Sequence, residues 1–254
     1  MSNTETTCRY LITGANSYLG KSLAVHLSKS GGNQVITTSR NPSKFDQLAR
    51  NQNHQHLSSI DLLQSEDMSR LVSTVSRWAD GPFHVVNCVG YFPGYKKISE
   101  TPLDEARKVF ESNVLSLYAT ATNLLPIMRL KGGGHFIAFS SHAVAQSYPL
   151  MAAFSAAKAS VDSLIQSIAN EYAEYGIIAN ALAIATLNSP RERHLRPKAD
   201  SSDWLQVDQI SRFVEQFVHA PFHIMNGNTV HLFNYSKSFF HQSYFQRLGI
   251  NTKP

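Results

Sequence analysis

A repeated alternation of short apolar runs with helical stripes constrains this chain more than any other feature. Tyr10-Leu11-Ile12-Thr13 is apolar and stops at Gly14; a stripe through Leu19, Leu23 and Leu27 follows at helical spacing and closes on Gly31-Gly32. Further runs lie at Val35 to Thr38, Leu57 to Ile60, Phe83 to Val86, His135 to Phe139, Ile177 to Leu182 and Thr229 to Phe233. Thr101-Pro102-Leu103-Asp104 reads as an N-cap threonine, a first-turn proline and an early acidic residue, opening a helix toward Arg129 that Gly132-Gly133-Gly134 ends. A second long helix spans Phe154 to Tyr175. Strands separated by helices predict an α/β fold, with a mainly parallel seven-stranded sheet covered by helices on both faces. No linker, repeat or low-complexity stretch interrupts the pattern, so residues 1–254 are expected to form one domain.

Composition narrows the function classes. Charged residues make up 16% of the chain and apolar residues 43%, which excludes disorder and a highly charged coiled coil. The net charge of +5 is scattered, so no basic stripe points to nucleic acid. The densest basic stretch, Arg191, Arg193, Arg196 and Lys198, is interrupted by Glu192 and Pro197; it reads as a solvated loop or as a clamp for an anionic group. Cys8 and Cys88 sit in or beside apolar runs and are expected as free thiols of a reducing compartment. The N-terminus lacks a signal peptide's pattern and no apolar run reaches the ~20 residues of a membrane span, which predicts a soluble cytoplasmic protein with no membrane partner. His54/His56 and His135/His142 lack convergent partners, so no metal site is expected.

The turn Thr13-Gly14-Ala15-Asn16-Ser17-Tyr18-Leu19-Gly20 joins the first strand to the first helix. Glycines there let the backbone turn tightly and approach a pyrophosphate, which the helix N-terminus holds through free N–H groups and its dipole. At the end of the second strand stand Ser39 and Arg40, where an acidic residue would accept a ribose 2′-OH. A hydroxyl and a guanidinium suit a 2′-phosphate instead, so the expected cofactor is NADP(H).

With these residues in view, the sequence resembles the short-chain dehydrogenase/reductase family over nearly its whole length. The family's TGxxxGxG opening is met by Thr13, Gly14 and Gly20, with Tyr18 in the place of the middle glycine and Ser17 as a further hydroxyl for the phosphate. Its Asp-plus-aliphatic pair after the third strand appears as Asp61-Leu62, and its NNAG as Asn87-Cys88-Val89-Gly90. Its helix asparagine matches Asn113, its serine matches Ser141, and its YxxxK reads Phe154-Ser155-Ala156-Ala157-Lys158. Ser141 precedes Phe154 by 13 residues, the family's usual serine-to-tyrosine interval. Ser189 falls where the family's threonine contacts the cofactor carboxamide. The resemblance implies a doubly wound Rossmann domain, a nicotinamide cofactor across the carboxyl ends of the strands, a small-molecule substrate, and assembly as a homodimer or homotetramer.

In the family the tyrosine hydroxyl protonates the developing alkoxide, the lysine lowers its pKa and holds the nicotinamide ribose, the serine orients the carbonyl, and the asparagine supports a water relay. Asn113, Ser141 and Lys158 keep three of these positions, and Phe154 has no proton to give. Three functions follow. One is a reductase whose acceptor is iminium or quinonoid, so that no alkoxide forms; one is a reductase with a relocated acid, for which Tyr148, His142, Tyr91 and Tyr95 are candidates. The third is a non-redox cyclase, isomerase or cofactor-binding protein. The stretch from Ile184-Ala185 through Thr186-Leu187-Asn188-Ser189-Pro190 to Asp203-Trp204 is similar to the substrate segment of dihydropteridine reductases, which reduce a quinonoid ring and keep the tyrosine. The aromatic tail, with Phe233, Tyr235, Phe239, Phe240, Tyr244 and Phe245, is expected to pack on a subunit or wall an apolar pocket.

Overall fold

The computed structural model describes residues 7–41, 52–146, 148–220 and 224–234. In chain order the elements are β1 (Arg9–Thr13), α1 (Tyr18–Lys29), β2 (Gln34–Thr38), β3 (His54–Leu57), α2 (Ser65–Trp78), β4 (His84–Asn87), α3 (Leu103–Phe110) and α4 (Ser116–Leu130). They continue with β5 (Gly134–Ser141), α5 (His142–Gln146), α6 (Ala152–Tyr172), β6 (Ile177–Ile184), α7 (Pro190–Leu195), α8 (Val207–His219) and β7 (Thr229–Leu232). All seven strands pair in parallel in the order 3-2-1-4-5-6-7, as the alternation of runs and stripes predicts.

Each face of the sheet is sealed by the apolar stripe of its helices. On one side Met68, Leu71 and Val75 of α2, Leu117, Leu124 and Met128 of α4, and Val161, Ile165 and Ile168 of α6 pack on Leu11, Val85 and Phe136. On the other, Leu19, Leu23 and Leu27 of α1 and Ile210, Val214 and Val218 of α8 cover Tyr10, Ile12 and Ile137. Burial on both faces explains why the central strands read as unbroken apolar runs.

Three boundaries differ from expectation. The third strand is His54–Leu57, not Leu57 to Ile60, because this edge strand is fixed by polar contacts: the Thr37 hydroxyl lies 2.8 Å from both His54 Nε2 and His56 Nδ1. Thr101 does not cap the following helix; it closes the 3₁₀ turn Ile98–Glu100 by donating its hydroxyl to Lys97 O, and Pro102 takes the N-cap position. The long helix after it is broken by a π turn at Glu111–Leu115. Cys8 and Cys88 are free thiols. Of the C-terminal aromatic residues only Phe233 lies within the described residues, where its ring is 5.7 Å from that of His142. Among the described residues no helix is long and apolar enough to cross a membrane, and no cluster of His, Cys, Asp or Glu could hold a metal ion.

Candidate active site

Between β1 and β4 the strand order reverses direction, and beyond the carboxyl ends of these strands the loops part into a cleft of about 1140 Å³. Gly14 makes the first wall possible. Its φ is +70°, and a Cβ there would sit 2.7 Å from Val89 N and 2.8 Å from Cys88 C, so only glycine lets the β1 turn pass against the β4 loop. Gly14→Ala is expected to cost about 1–3 kcal/mol or more, checked by urea unfolding. The turn delivers the N-terminus of α1 to the cleft, where Asn16, Ser17, Tyr18 and Lys21 line the wall. Ser17 is the N-cap, and its Oγ accepts the Gly20 N–H at 2.9 Å. Tyr18, the first helical residue, stands 47% exposed at the rim.

At the centre the fold brings together Asn113, Ser141, Phe154 and Lys158, together with Gly90. Asn113 sits in the π turn; its amide donates to Val109 O and to Tyr91 O, both at 2.8 Å, which ties the helix to the β4 loop. The other end of that amide, Oδ1, is buried without a hydrogen-bond partner among the described residues. A Cβ on Gly90 would lie 2.9 Å from Asn113 Oδ1 and 3.5 Å from Lys158 Nζ, so the bare glycine leaves both atoms room to meet a ligand.

Lys158 is 6% exposed and donates from Nζ to Phe139 O at 2.7 Å. Burial lowers its pKa to about 8, against the upward pull of Asp162 and Cys88. Burial also raises the Cys88 thiol, and it raises the Asp162 carboxyl against its hydrogen bonds to Ser140 and Thr229. The Phe154 ring lies under the ammonium, with Nζ 5.7 Å from its centroid, and meets Phe92 edge-on at 5.0 Å. Ser141 Oγ accepts the Ala143 N–H at 3.2 Å, which directs its own proton elsewhere.

The far wall is α7, which sequence reasoning took for a solvated run or an anion clamp. Arg196 is instead 7% exposed and internally bound: Nε donates to Glu192 Oε1 at 2.5 Å, Nη2 to Thr186 Oγ1 at 3.0 Å, and the guanidinium stacks between Tyr95 and Trp204. Glu192 Oε1 also accepts the Tyr95 hydroxyl at 2.6 Å. The i,i+4 spacing of Glu192 and Arg196 was the sequence signal for this pair. Arg191 reaches back to Phe92 O at 2.5 Å and Arg193 to Asn188 Oδ1 at 2.7 Å. Ser189 lines the cleft and caps α7 by accepting the Glu192 N–H at 3.1 Å. Of the candidate replacement acids, Tyr91, Tyr95, His142 and Tyr148 all line the cleft; Tyr148 Oη lies 3.3 Å from His142 Nδ1.

Other anticipated residues stand behind the wall. The Thr13 hydroxyl donates to Asn87 Oδ1 at 2.5 Å, tying β1 to β4, while Gly14 and Gly20 shape the turn. The Ser39 hydroxyl, expected to serve a phosphate, is turned inward: it donates to Asn41 O at 3.0 Å and lies 3.0 Å from His56 Nε2. Arg40 beside it is exposed. Asp61 Oδ1 accepts the Leu63 N–H at 3.1 Å, and Leu62 is buried in the core.

The family model described as short chain dehydrogenase matches residues 9–200. An uncharacterized oxidoreductase, YusZ, from Bacillus subtilis (strain 168) is 28% identical over 173 residues, covering 66% of this chain and 60% of that protein. A 2-dehydro-3-deoxy-L-rhamnonate dehydrogenase (NAD(+)) from Sphingomonas sp. (strain SKA58) is 28% identical over 183 residues, covering 71% of this chain and 72% of that protein. Among solved structures, ElxO with NADP bound superposes with a TM-score of 0.80 at 18% identity, covering 93% of this chain and 100% of that one.

Proposed function

The chain belongs to the short chain dehydrogenase family, a family of oxidoreductases, and we propose that it is an NADP(H)-dependent reductase of a small organic molecule whose hydride acceptor needs no tyrosine proton donor. Phe154 carries the reading: it lies with Ser141, Asn113 and Lys158 in one cleft and fills the proton donor's place with a ring that has no hydroxyl. An iminium or quinonoid acceptor takes up hydride without forming an alkoxide.

The residues present fit a dinucleotide. The N-terminus of α1 opens on the cleft, and Gly90 leaves space beside Asn113 Oδ1, buried without a partner among the described residues, and beside Lys158 Nζ. In this assignment the Gly14 turn and Ser17 support the pyrophosphate, Asp61 faces the adenine end, Lys158 holds the nicotinamide ribose and Ser189 the carboxamide. The bound cofactor supplies a hydride. The choice of NADP(H) over NAD(H) rests on Arg40, exposed at the end of β2 with no acidic neighbour in sequence.

Titration with NADPH and NADH tests the choice. NADPH is expected to bind more tightly, and Arg40→Ala to weaken NADPH by about tenfold to a hundredfold, the worth of a charge-assisted phosphate contact, while leaving NADH unchanged. Equal affinities in the wild type would overturn it. We extend the reading to one domain and to self-association, supported by the exposed apolar side chains of Leu103, Phe110, Leu115 and Tyr118 along one helical run. Phe154 also favours a second reading, a non-redox cyclase, isomerase or cofactor-binding protein; bound NADPH that gives hydride to no acceptor would select it.

A further inference from the structure

Resting on that reading, we infer that the cleft is built for a neutral quinonoid carbonyl, whose oxygen becomes a phenolate held by the charge of Lys158 and the hydroxyl of Ser141, rather than for a cationic iminium.

The first ground is the direction of the hydrogen bonds. Ser141 Oγ already accepts from Ala143 N, so its O–H is left to donate to a ligand. Lys158 Nζ uses one proton on Phe139 O and, with the nicotinamide ribose taking a second, keeps one. Both groups therefore offer protons to an acceptor atom, which a quinone oxygen is. A protonated imine presents the opposite pattern, an N–H donor with a positive charge. The unpartnered acceptor nearby, Asn113 Oδ1, is an uncharged amide oxygen and does not offset that charge.

The second ground is charge. Setting aside Lys21 at the α1 end, the cleft is lined by Lys158, Arg191 and Arg196 against Glu192 and Asp203. Glu192 is already bound by Arg196 and by the Tyr95 hydroxyl. Along the lining the balance is one positive charge, with Asp162 behind Lys158, and a phenolate gains from the cations it meets where an iminium loses. The third ground is shape. Phe92 meets Phe154 edge-on and Tyr95 edge-on, each at 5.0 Å, forming an apolar wall suited to a flat ring.

The chemistry closes without Tyr at position 154. The quinone takes the hydride on one carbonyl oxygen as the reduced nicotinamide is oxidised: that C=O becomes C–OH, the electron pair moves through the ring, and the opposite C=O becomes C–O⁻, giving the hydroquinone monoanion. Its conjugate acid is a phenol of pKa ~10, against ~16 for an ordinary alkoxide, so the anion persists long enough to take its proton from water. No proton need move while the hydride does.

The test compares three acceptors with NADPH: tetramethyl-1,4-benzoquinone, whose blocked ring carbons protect Cys8 and Cys88 from addition; N-methyl-3,4-dihydroisoquinolinium; and cyclohexanone. The quinone is expected to have the highest kcat/KM by about a hundredfold, with tetramethylhydroquinone as product. A binding readout stands beside it. With the protein saturated in NADP⁺, bound 4-nitrophenol is expected to ionise about one pH unit or more below its free midpoint, followed by the nitrophenolate absorbance, and Lys158→Met to abolish the shift. Should that variant fail to fold, Ser141→Ala removes only a hydroxyl and is expected to reduce the shift by roughly threefold in ionisation constant. Faster reduction of the iminium, or nitrophenol ionising as it does in water, overturns the inference and leaves the reductase reading standing. Reduction of none of the three by a protein that binds NADPH overturns both.

Discussion

Phe154→Tyr is expected to raise the NADPH-driven reduction of cyclohexanone by about 10²–10⁴-fold over the wild type, the range general acid catalysis supplies. The new hydroxyl enters a cleft already furnished for it. Ser141 stands on the same wall with its proton undirected within the protein, and the Lys158 ammonium lies 5.7 Å from the ring centroid, where its charge lowers the pKa of the added phenol. The ring packing against Phe92 is kept, so the substitution adds one oxygen without opening a cavity. The ratio of ketone to quinone turnover is the measurement, since a change in cofactor binding moves both and the hydroxyl acts on the ketone. Robust ketone reduction by the wild type would sink the premise that the missing hydroxyl limits the chemistry. The pair Tyr148 and His142, 3.3 Å apart on the cleft wall, would then be the place to look for the acid.

What the sequence disclosed divides along the same physical line, between apolar burial and polar contact. β1, β2 and β4 to β6 were legible because a parallel strand covered on both faces has no solvent side to interrupt its apolar run, and β7, a half-buried edge strand, because Thr229 and Val230 are strand formers. β3 was not, since at the sheet edge HQHL is anchored by Thr37 to two histidines, and the eye was drawn to the neighbouring leucine and isoleucine. α8 went unanticipated although Ile210, Val214 and Val218 recur at helical spacing; it follows a stretch read for substrate contacts, not for period. The π turn at Glu111–Leu115 carries no glycine or proline to announce it.

In the site, Asn113, Ser141, Phe154 and Lys158 were found by order and spacing, which the doubly wound topology converts into proximity. Arg196 was misjudged because charge runs are usually solvated, and only the tertiary stacking of Tyr95 and Trp204 around the guanidinium buries it. The inward turn of the Ser39 hydroxyl likewise depends on His56, a residue of another strand.

Lys158 supplies the last test, in which activity and stability are expected to move in opposite directions with pH. Burial lowers the lysine from its ordinary 10.5 to about 8, with Asp162 and Cys88 pulling the other way. Below pH 8 the ammonium is charged in the folded and unfolded chain alike, and the full cost of burying it weighs on the fold. Between 8 and 10.5 the unfolded chain still binds the proton while the folded chain has released it, so stability rises with pH through this window. The wild type is therefore expected to gain on Lys158→Met in urea midpoint from pH 8 upward. Catalysis needs the charge, so wild-type kcat/KM for the quinone should fall about tenfold per pH unit above 8. Lys158→Met at pH 7 should lose about 10²–10³-fold, as removal of one preorganised donor to a developing oxyanion does, with no inflection left near 8. A wild-type profile flat from pH 7 to 10, or a stability difference that ignores pH, would show that the ammonium neither holds the anion nor bears the burial assigned to it.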